Sequence, residues 1–472
     1  MAPYIAIIVG YFVAIICVSL LTRRLAGRSS ADYLIAGRNL GTLVCAVVVA
    51  AEWLGGMSTI GVSERAFSTG SLQPVLYNIA TATGMVIIGF TVARHYRKRN
   101  VHTVSEMLEF LFGERARHAS AVAFLIAYIT LAYVQLQTCA SVISPVFGLS
   151  WFHAVLISSA IITAYTYIGG MHAIAVIGVI HVVVMFAGIG TALVTGLHNM
   201  GGPGALRTAL AQAGGPEHPF NPFGSGVSHG ISLLLGGILG GMAGQASIQP
   251  IFAARSPGVA KRAAIVSAMI IAPFGVIVGL LGLVARSGAC IDPSTVPDAR
   301  MVLPALFTSP GFIHPALGGV ALAGILAAIL STVGPVNFAV VTIATKDIYQ
   351  GILNKAALDS QILKTARRLV ILVNAVTVPL ALYLRSEILD AAYVSYAIRA
   401  IGAIVILLGV YARGWVDEWS VRFAFAGGTA AIFFCLLAGR MGWFEIDKTY
   451  GAVIMAIVFL IIGKLRAWIR GR

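Results

Sequence analysis

The sequence predicts an all-α protein that crosses a membrane about thirteen times. Of its 472 residues, 58% are hydrophobic and only 10% are charged, whereas soluble domains carry about 25% charged residues. Long apolar runs recur from one end of the chain to the other, as is typical of helices that cross a bilayer. We therefore interpret the chain as a polytopic membrane protein.

Thirteen candidate spans follow from these runs, with boundaries defined to about 2–4 residues. They are 4–21, 40–62, 73–94, 119–144, 150–168, 173–197, 228–252, 262–285, 314–345, 369–385, 391–411, 423–439 and 450–463. We interpret the first as a retained helix, because Arg23 and Arg24 follow it and no basic residue precedes it. A cleavable signal peptide has the reverse order.

The loop charges predict the orientation of the chain. The loops alternate between two sides, and 24 of the 32 Lys and Arg lie in one set of loops while 7 lie in the other. The positive-inside rule assigns the richer set to the cytoplasm, so we expect the N-terminus outside and the C-terminus inside. Topology thus accounts for the net charge of +15, and we expect no nucleic-acid partner.

Motifs of soluble catalysis are missing from the sequence. The five cysteines and ten histidines form no CxxC pair and no zinc-binding spacing. No Walker loop or GxSxG elbow occurs, and the longest loops, near 198–227 and 286–313, are short and rich in Gly and Pro. We therefore expect neither an enzyme nor ATP-driven transport within this chain.

Two glycine-interrupted spans occupy matching places. The second span contains Gly55-Gly56, and the seventh contains Gly236, Gly237, Gly240, Gly241 and Gly244, followed by polar residues that include Gln245. With the first span set aside, they are the first and sixth of the series, so each begins one half of a five-plus-five arrangement. Such pairs point to a transporter binding site, because unwound backbone at membrane depth must line a cavity or bind ions. The alternative is that the glycines only permit close packing.

The ninth span carries candidate ion ligands. Ser331 and Thr332 lie deep in an apolar run, and Ala328 precedes Ser331 by three residues, so its carbonyl and the Ser331 hydroxyl share a helix face. Hydroxyls with free carbonyls form an oxygen-only site suited to Na⁺. The alternative is that both hydroxyls bond back to carbonyls about one turn earlier.

Glu52 and Arg399 are the two clear charges within spans, where a charge costs at least ~2.5–3.5 kcal/mol. We predict that Glu52 lines a substrate site, binding an amine or carrying a proton; alternatively it caps the half-helix or pairs with Arg399. Arg399 is expected to pair with a carboxylate of substrate or with Glu52, or else to reach the cytoplasmic side or free carbonyls. If both face the site unpaired, a zwitterion would fit. Further lining candidates are Trp53, Gly56, Tyr133, Gln135, Gln137 and Gln245.

Four segments, which together extend over roughly 32–410, resemble the sodium:solute symporter family of bacterial proline, sialic acid and sodium/galactose symporters. They are DYLIAGRNLG at 32–41, TYIGGMHAIAVIGVIH at 166–181, QPIFAARSPGVAKRA at 249–263 and LAAILST…TKDIY at 326–349. The resemblance implies a leucine-transporter-like core of five-plus-five inverted helices. It also implies a Na⁺ site formed by the carbonyls of Ala51, Leu54 and Ala328 and the hydroxyls of Ser331 and Thr332.

The sequence departs from the family pattern at three places. Gly178 stands where many members have an Asp that supports a second Na⁺ or ion exit, so a two-Na⁺ stoichiometry does not follow. His181 stands where many have Gln, and it is either a proton-linked group or a packing residue. The usual Gln-Arg pair is replaced by Gln249-Pro250.

We therefore expect a sodium-coupled symporter of the bacterial inner membrane that imports a small organic solute, such as an amino acid or a carboxylate, by alternating access. Its predicted parts are an extra helix and loop at 1–39, five-helix repeats at 40–197 and 228–411, and two further helices with a basic tail at 412–472. The alternatives are a proton-coupled transporter that uses Glu52 or His181, and a transporter-like membrane sensor. The short tail that ends at Arg472 disfavours a fused output domain.

Overall fold

The computed structural model describes residues 2–26, 33–34, 38–99, 101–384, 388–412, 414–443 and 445–470, without the side chains of 2–3, 22–26, 165, 168–170, 172–173 and 470. Several residues on which the predicted topology and resemblance draw lie outside this part of the chain: Arg28, Asp32, 35–37, Arg385, Arg413 and Arg472. The regular structure of the described residues is helical, apart from one isolated bridge between Leu40 and Ala254.

The helices are numbered in chain order over the described residues. They are α1 (Ala2–Ala26), α2 (Thr42–Trp53), α3 (Val62–Thr69), α4 (Leu76–Phe90), α5 (Ala93–Lys98), α6 (Val104–Phe112), α7 (Glu114–Phe147), α8 (Trp151–Asn199), α9 (Pro203–Gln212), α10 (Val227–Met242), α11 (Gln245–Phe252), α12 (Pro257–Arg286), α13 (Val302–Thr308), α14 (Pro315–Ile343), α15 (Asp359–Tyr383), α16 (Ile388–Tyr411), α17 (Glu418–Arg440) and α18 (Lys448–Arg470). Met57–Gly61 and Ala344–Leu353 are π-helical, and Gln73–Val75, Pro293–Thr295 and Ala299–Met301 are short 3₁₀ turns.

The number of predicted spans is not confirmed. Among the described residues, eleven helices are long and apolar enough to cross a membrane, or twelve if the bent pair Thr42–Trp53 and Met57–Thr69 counts as one span. The predicted span 150–168 corresponds to the apolar stretch Trp151–Ala164, which is shorter than the others.

Helix α8 accounts for both predicted spans 150–168 and 173–197. At about 1.5 Å per residue, its 49 residues are far longer than a hydrocarbon core of about 30 Å. Its end bonds to the segment after α13, where Asn199 Nδ2 donates to Phe312 O at 2.8 Å. Its beginning follows the end of α7, which lines a cavity together with α13. In the middle of α8, Thr166 O accepts the Tyr33 hydroxyl at 3.4 Å.

The two interrupted spans lie side by side at the centre. The Leu40 amide, just before α2, donates to Ala253 O at 3.0 Å, and the Arg255 amide donates to Leu40 O at 2.9 Å, so the start of α2 is joined to the end of α11. Cys45 Sγ donates to Pro250 O at 3.2 Å between the same helices. Helix α14 packs against α8 and α7 and is buried from Ala321 to its end. The broken helices therefore face one another and α14 inside a shell of longer helices.

Candidate functional site

The first predicted break is present at Leu54–Gly56. Helix α2 ends at Trp53, and the chain bends by 56° before it continues through the π-helical turn Met57–Gly61 into α3. The last carbonyls of a helix lack an intrahelical donor. The carbonyl oxygens near the end of α2, including that of Ala51, must therefore find partners elsewhere.

Hydroxyls of α14 supply these partners. Ser331 Oγ lies 2.6 Å from Ala51 O and 2.7 Å from Ala328 O. Thr332 Oγ1 lies 3.2 Å from Ala51 O and 2.7 Å from Glu52 O. Ser331 thus bonds back along its own helix and also bonds across to α2, while Thr332 bonds to α2. Four of the five predicted Na⁺ ligands meet at one place.

Leu54, the fifth predicted ligand, is the residue at which α2 ends. Its amide still donates to Ala50 O at 3.0 Å, and its own carbonyl comes after the last helical turn. The five groups are all oxygens, and carbonyls at the ends of broken helices are the ligands that Na⁺ uses in transporters of this design. A bound Na⁺ would replace the hydroxyl protons as the partner of the Ala51 carbonyl, so the donor set fits the ion.

Gly55 lets the two helices approach closely enough for this arrangement. A Cβ atom at Gly55 would lie 1.9 Å from Thr332 Oγ1 and 2.3 Å from Thr332 Cβ, far inside van der Waals contact. Gly55 is therefore needed for more than the predicted weakening of the helix at the break. The residue at the break must also lack a side chain so that α14 can reach α2.

The second break separates α10, which ends at Met242, from α11, which begins at Gln245. Arg399 of α16 lies against it, and a Cβ atom at Gly244 would lie 2.0 Å from Arg399 Nη2. Gly55 therefore leaves room for the Thr332 hydroxyl at the first break, and Gly244 leaves room for the Arg399 guanidinium at the second.

Arg399 is fully buried and has no hydrogen-bond partner for Nε, Nη1 or Nη2. No carboxylate of the described residues lies within 4.0 Å of it, so it does not form an ion pair with Glu52. Its guanidinium carbon lies 4.9 Å from the ring centre of Tyr396, 5.0 Å from that of Trp53 and 5.5 Å from that of Tyr128. Aromatic faces stabilise a cation, but they leave its N–H donors unused.

Other polar atoms without partners lie on the helices around the first break. Glu52 is 3% exposed, and its Oε2 accepts no hydrogen bond. Trp53 Nε1 and Gln135 Nε2 are likewise without partners, while Gln135 Oε1 accepts the Gly56 amide at 3.2 Å. Buried polar groups are normally satisfied, so a concentration of unsatisfied ones indicates a site for a polar ligand.

Tyrosines close this polar region on one side. The hydroxyls of Tyr77 and Tyr396 lie 2.8 Å apart, and the two rings stack with centres 5.8 Å apart. Tyr393 packs edge-on against Tyr396, and its hydroxyl donates to Leu233 O at 2.7 Å. Trp53 and Arg399, which lie in this region, are at most 1% exposed, so their side chains are shielded from solvent.

Comparison with known proteins identifies the family. The model of the sodium:solute symporter family matches residues 33–418. The chain belongs to the sodium:solute symporter family. The family match supports Na⁺-coupled solute symport by this chain.

Relatives of this symporter include transporters of small organic solutes. The osmoregulated proline transporter OpuE of Bacillus subtilis is 26% identical over 92% of this chain and 89% of its own length. The high-affinity proline transporter PutP of the same organism is 26% identical over 91% and 92%. The high-affinity choline transporter 1 of Caenorhabditis elegans is 22% identical over 76% of this chain and 64% of its own length. These proteins are transporters, not enzymes.

Solved structures of similar fold confirm the leucine-transporter-like architecture. A Na⁺-coupled sialic acid symporter in a substrate-bound outward-open state superposes with a TM-score of 0.84 at 18% identity, over 99% of this chain and 98% of its own. Mhp1, a nucleobase-cation-symport-1 family transporter in a closed conformation, gives a TM-score of 0.58 at 14% identity, over 92% and 95%.

Two glutamines predicted to line the substrate site of the symporter bond to backbone groups. Gln245 donates from Nε2 to His102 O at 2.9 Å and accepts the Val104 amide at 2.8 Å, so it holds the loop before α6. Gln137 donates to the carbonyls of Ala381 and Leu384 at the end of α15. Both Nε2 groups thus donate to backbone carbonyls, whereas Gln137 Oε1 is buried without a partner.

Three other predicted lining residues lie at the first break or on α7: Trp53 ends α2, Gly56 is in the break and Tyr133 is on α7. Gly56 is packed against α7, since a Cβ atom there would lie 2.5 Å from Thr138 Cγ2 and 2.6 Å from Gln135 Oε1. Trp53 lies beneath Arg399, and Tyr133 is 9% exposed on α7. Gln135, not Gln137, is therefore the glutamine that α7 presents to the break.

His181 contacts the extra helix α1. Tyr11 Oη and His181 Nδ1 are 2.5 Å apart, and the imidazole is fully buried. Gly178, one turn earlier, faces α2, with its Cβ position 3.8 Å from Ala51 Cβ. The place where many family members carry an Asp therefore lies beside the ion ligands, and here it holds no carboxylate.

Sequence reasoning missed Tyr77, Tyr128 and Tyr396. Tyr396 precedes Arg399 by three residues, and that spacing on one helix face was an available signal. Tyr77 and Tyr128 lie on helices whose aromatic residues show no pattern that separates lining from packing. Their role follows only from the positions of α4 and α7 relative to α16.

Proposed function

We propose that this protein imports a small zwitterionic solute together with Na⁺ across the bacterial inner membrane, with the N-terminus outside and the C-terminus cytoplasmic. The observation that carries the proposal is the pair of buried, unpaired charges, Glu52 and Arg399, beside the oxygen cluster at the α2 break. In this proposal the two repeats are 40–197 and 228–411, so each begins with a broken helix.

The ion would be held by the carbonyls of Ala51, Leu54 and Ala328 and the hydroxyls of Ser331 and Thr332. It would supply the positive charge that keeps the end of α2 attached to α14. A single Na⁺ per cycle is supported by Gly178, because the neighbouring place on α8 offers no carboxylate to a second ion. Reciprocal coupling requires that solute raise the affinity for Na⁺ by the same factor as Na⁺ raises the affinity for solute.

The solute's carboxylate would pair with Arg399, whose five N–H donors suit a planar acid group. Its amine would pair with Glu52, and Trp53, Tyr77 and Tyr396 would surround its apolar part. An uncompensated buried charge is expensive, so binding a complementary group recovers solvation that the empty site lacks. The substrates of the proline and choline transporters are small enough for such a site.

The test is uptake by purified protein in proteoliposomes. Radiolabelled proline and other amino acids, choline and simple carboxylates would be offered with an inward Na⁺ gradient or with K⁺ in its place. Na⁺-dependent accumulation of a zwitterion, with little uptake of choline or of carboxylates without an amine, is the expected result. Accumulation that depends on neither ion gradient would contradict the proposal.

Proton coupling is the second candidate, because Glu52 Oε2 is buried without a partner and His181 bonds to Tyr11. It predicts uptake driven by a pH gradient without Na⁺. Glu52→Gln would abolish that uptake if Glu52 carries the proton, and His181→Gln would do so if the imidazole carries it. Uptake that needs Na⁺ at every external pH excludes this candidate.

A further inference from the structure

The outer face of α15 changes from cationic to apolar within one helical turn. Lys364 and Arg368 are exposed, and Ile371 and Leu372, three and four residues after Arg368, are each 55% exposed. Apolar side chains exposed on a membrane helix face hydrocarbon, whereas Lys and Arg at its end lie at the level of the lipid headgroups. The change therefore marks the border between the two layers, on the side predicted to be cytoplasmic.

A groove lies at this border, between α15 and the middle of α8. Its volume is about 360 Å³, and it is lined by Tyr167, Ser360, Leu363, Lys364, Arg367, Arg368 and Ile371. Among the residues that the structure describes, the lining thus contains three cations, two hydroxyls and apolar side chains, and no acid. A cluster of cations without a counter-charge attracts an anion.

The inner wall of the groove is held in place by its neighbours. The guanidinium of Arg367 lies 5.8 Å from the ring centre of Tyr33, and Tyr33 Oη donates to Thr166 O in α8 at 3.4 Å. Arg367 is partly buried, in contrast to Lys364 and Arg368. The groove is therefore a built feature at the contact of two helices and is more than a row of loop cations.

We propose that this groove binds the phosphodiester headgroup of an anionic phospholipid from the cytoplasmic leaflet. Lys364, Arg367 and Arg368 contact the phosphate oxygens, since Arg binds phosphate with two parallel hydrogen bonds and Lys as a point charge. One acyl chain lies along Ile371 and Leu372. Basic pockets between membrane helices on the cytoplasmic side are known to take such headgroups. The apolar continuation of the groove favours a lipid over a free phosphate ion.

Native mass spectrometry of the full chain in detergent tests the proposal. The protein is titrated with phosphatidylglycerol or with phosphatidylcholine of the same acyl composition. Lys364→Gln/Arg368→Gln is compared with the control Lys98→Gln/Arg262→Gln, which removes one Lys and one Arg from exposed positions away from the groove. We expect one tightly bound phosphatidylglycerol in the wild type and the control, and binding about tenfold weaker in the groove variant.

Further measurements distinguish lipid binding in the groove from loss of folding and from binding of free phosphate. Lys364→Arg/Arg368→Lys keeps the charges, so it is expected to retain the lipid, and circular dichroism confirms that each variant is folded. An excess of inorganic phosphate is expected to leave the lipid bound. Equal lipid binding by wild type and groove variant, equal binding of the two lipids, or displacement by inorganic phosphate would each overturn the proposal.

Discussion

The hydroxyl of Ser331 lies 2.6 Å from the carbonyl oxygen of Ala51, although 280 residues separate the two in the chain. The contact joins the interrupted end of α2 to the middle of α14. It makes one oxygen of α2 dependent on a side chain of α14, so an ion bound there responds to the relative position of the two helices. Alternating access requires a coupling of this kind between an ion site and a moving contact.

Replacing both hydroxyls tests the ion site. Ser331→Ala/Thr332→Ala removes two oxygen ligands, and we expect the Na⁺ concentration for half-maximal uptake to rise by about tenfold or more. The matched control is Thr163→Ala, whose hydroxyl bonds back to Ser159 O at 2.7 Å within α8. Measurement of uptake against Na⁺ concentration decides the matter. An unchanged Na⁺ dependence in the double variant would remove these residues from the site.

Replacing the two buried charges tests the substrate class. Arg399→Gln removes the partner of the solute carboxylate, and we expect KM for a zwitterion to rise by about 10–100-fold, the loss of a charged hydrogen bond. Glu52→Gln should weaken the same solute through its amine. Competition by carboxylates without an amine should be reduced by Arg399→Gln but not by Glu52→Gln. Identical effects of both variants on these competitors would contradict separate roles.

Gly55 tests the close approach of α2 and α14. Gly55→Ala places a methyl group where Thr332 Oγ1 lies, at 1.9 Å, so the helices must separate and the ligand set must open. We expect loss of Na⁺-stimulated uptake and of the stabilisation by Na⁺ in thermal unfolding. Gly190→Ala is the control, since nothing lies within 4 Å of a Cβ there. Full Na⁺ stabilisation of Gly55→Ala would show that the close approach is dispensable.

Arg117 ties the start of α7 to the segment after α14. Its Nε lies 2.9 Å from Asp347 Oδ1, its Nη1 lies 2.7 Å from Glu109 Oε2, and its Nη2 lies 2.8 Å from Lys346 O. We expect Arg117→Gln to loosen α6 and to open the predicted cytoplasmic side more often. Hydrogen exchange of α6 should then be faster, by about tenfold.

The control for Arg117→Gln is Lys355→Gln, which breaks an exposed ion pair with Glu114. Exposed pairs contribute little to stability, so exchange of α6 should not change. Equal exchange in wild type and Arg117→Gln would show that the contacts of Arg117 do not hold this side closed.

The ionisation of Glu106 in α6 determines the pH range over which the contacts between α6 and Arg117 are stabilising. Burial alone would raise its pKa, but the hydrogen bonds and charge of His102 and the charge of Arg117 outweigh it and lower the pKa to about 2. The stabilisation is therefore complete above the unfolded value of about 4.3 and is lost only as pH falls through about 2. Glu106→Gln should thus speed exchange of α6 by the same factor at about pH 8 and pH 9, where the carboxylate stays ionised and histidine side chains are ordinarily neutral. A factor that shrinks at the lower pH would contradict this assignment.

Much of the candidate ion site could be proposed from the sequence because its signals are local. Gly55-Gly56 weakens a helix wherever it stands, and two adjacent hydroxyls in an apolar run are visible in the sequence. The choice between back-bonding and ligand was not predictable. Ser331 bonds to its own helix and to α2 as well, and only the position of α2 reveals the second bond.

The polar lining was predicted less well. Gln135 and Gln137 differ by two residues on one helix, so they point to different sides, and the sequence does not state which side faces the break. The structure turns Gln135 toward Gly56 and Gln137 toward α15. Gln245 lies next to the second break, but its amide binds the loop before α6 because that loop offers an unpaired amide and carbonyl.

The sequence by itself determined the membrane class, the two interrupted helices and the residue types of the ion site, because composition, apolar run length and glycine act within a few residues. Only the tertiary structure decided that Glu52 and Arg399 remain unpaired, that tyrosines surround the guanidinium and that one helix, α8, extends over two predicted spans. These features depend on contacts between residues hundreds of positions apart. Such contacts are set by how whole helices pack and rotate against one another, which local sequence patterns do not encode.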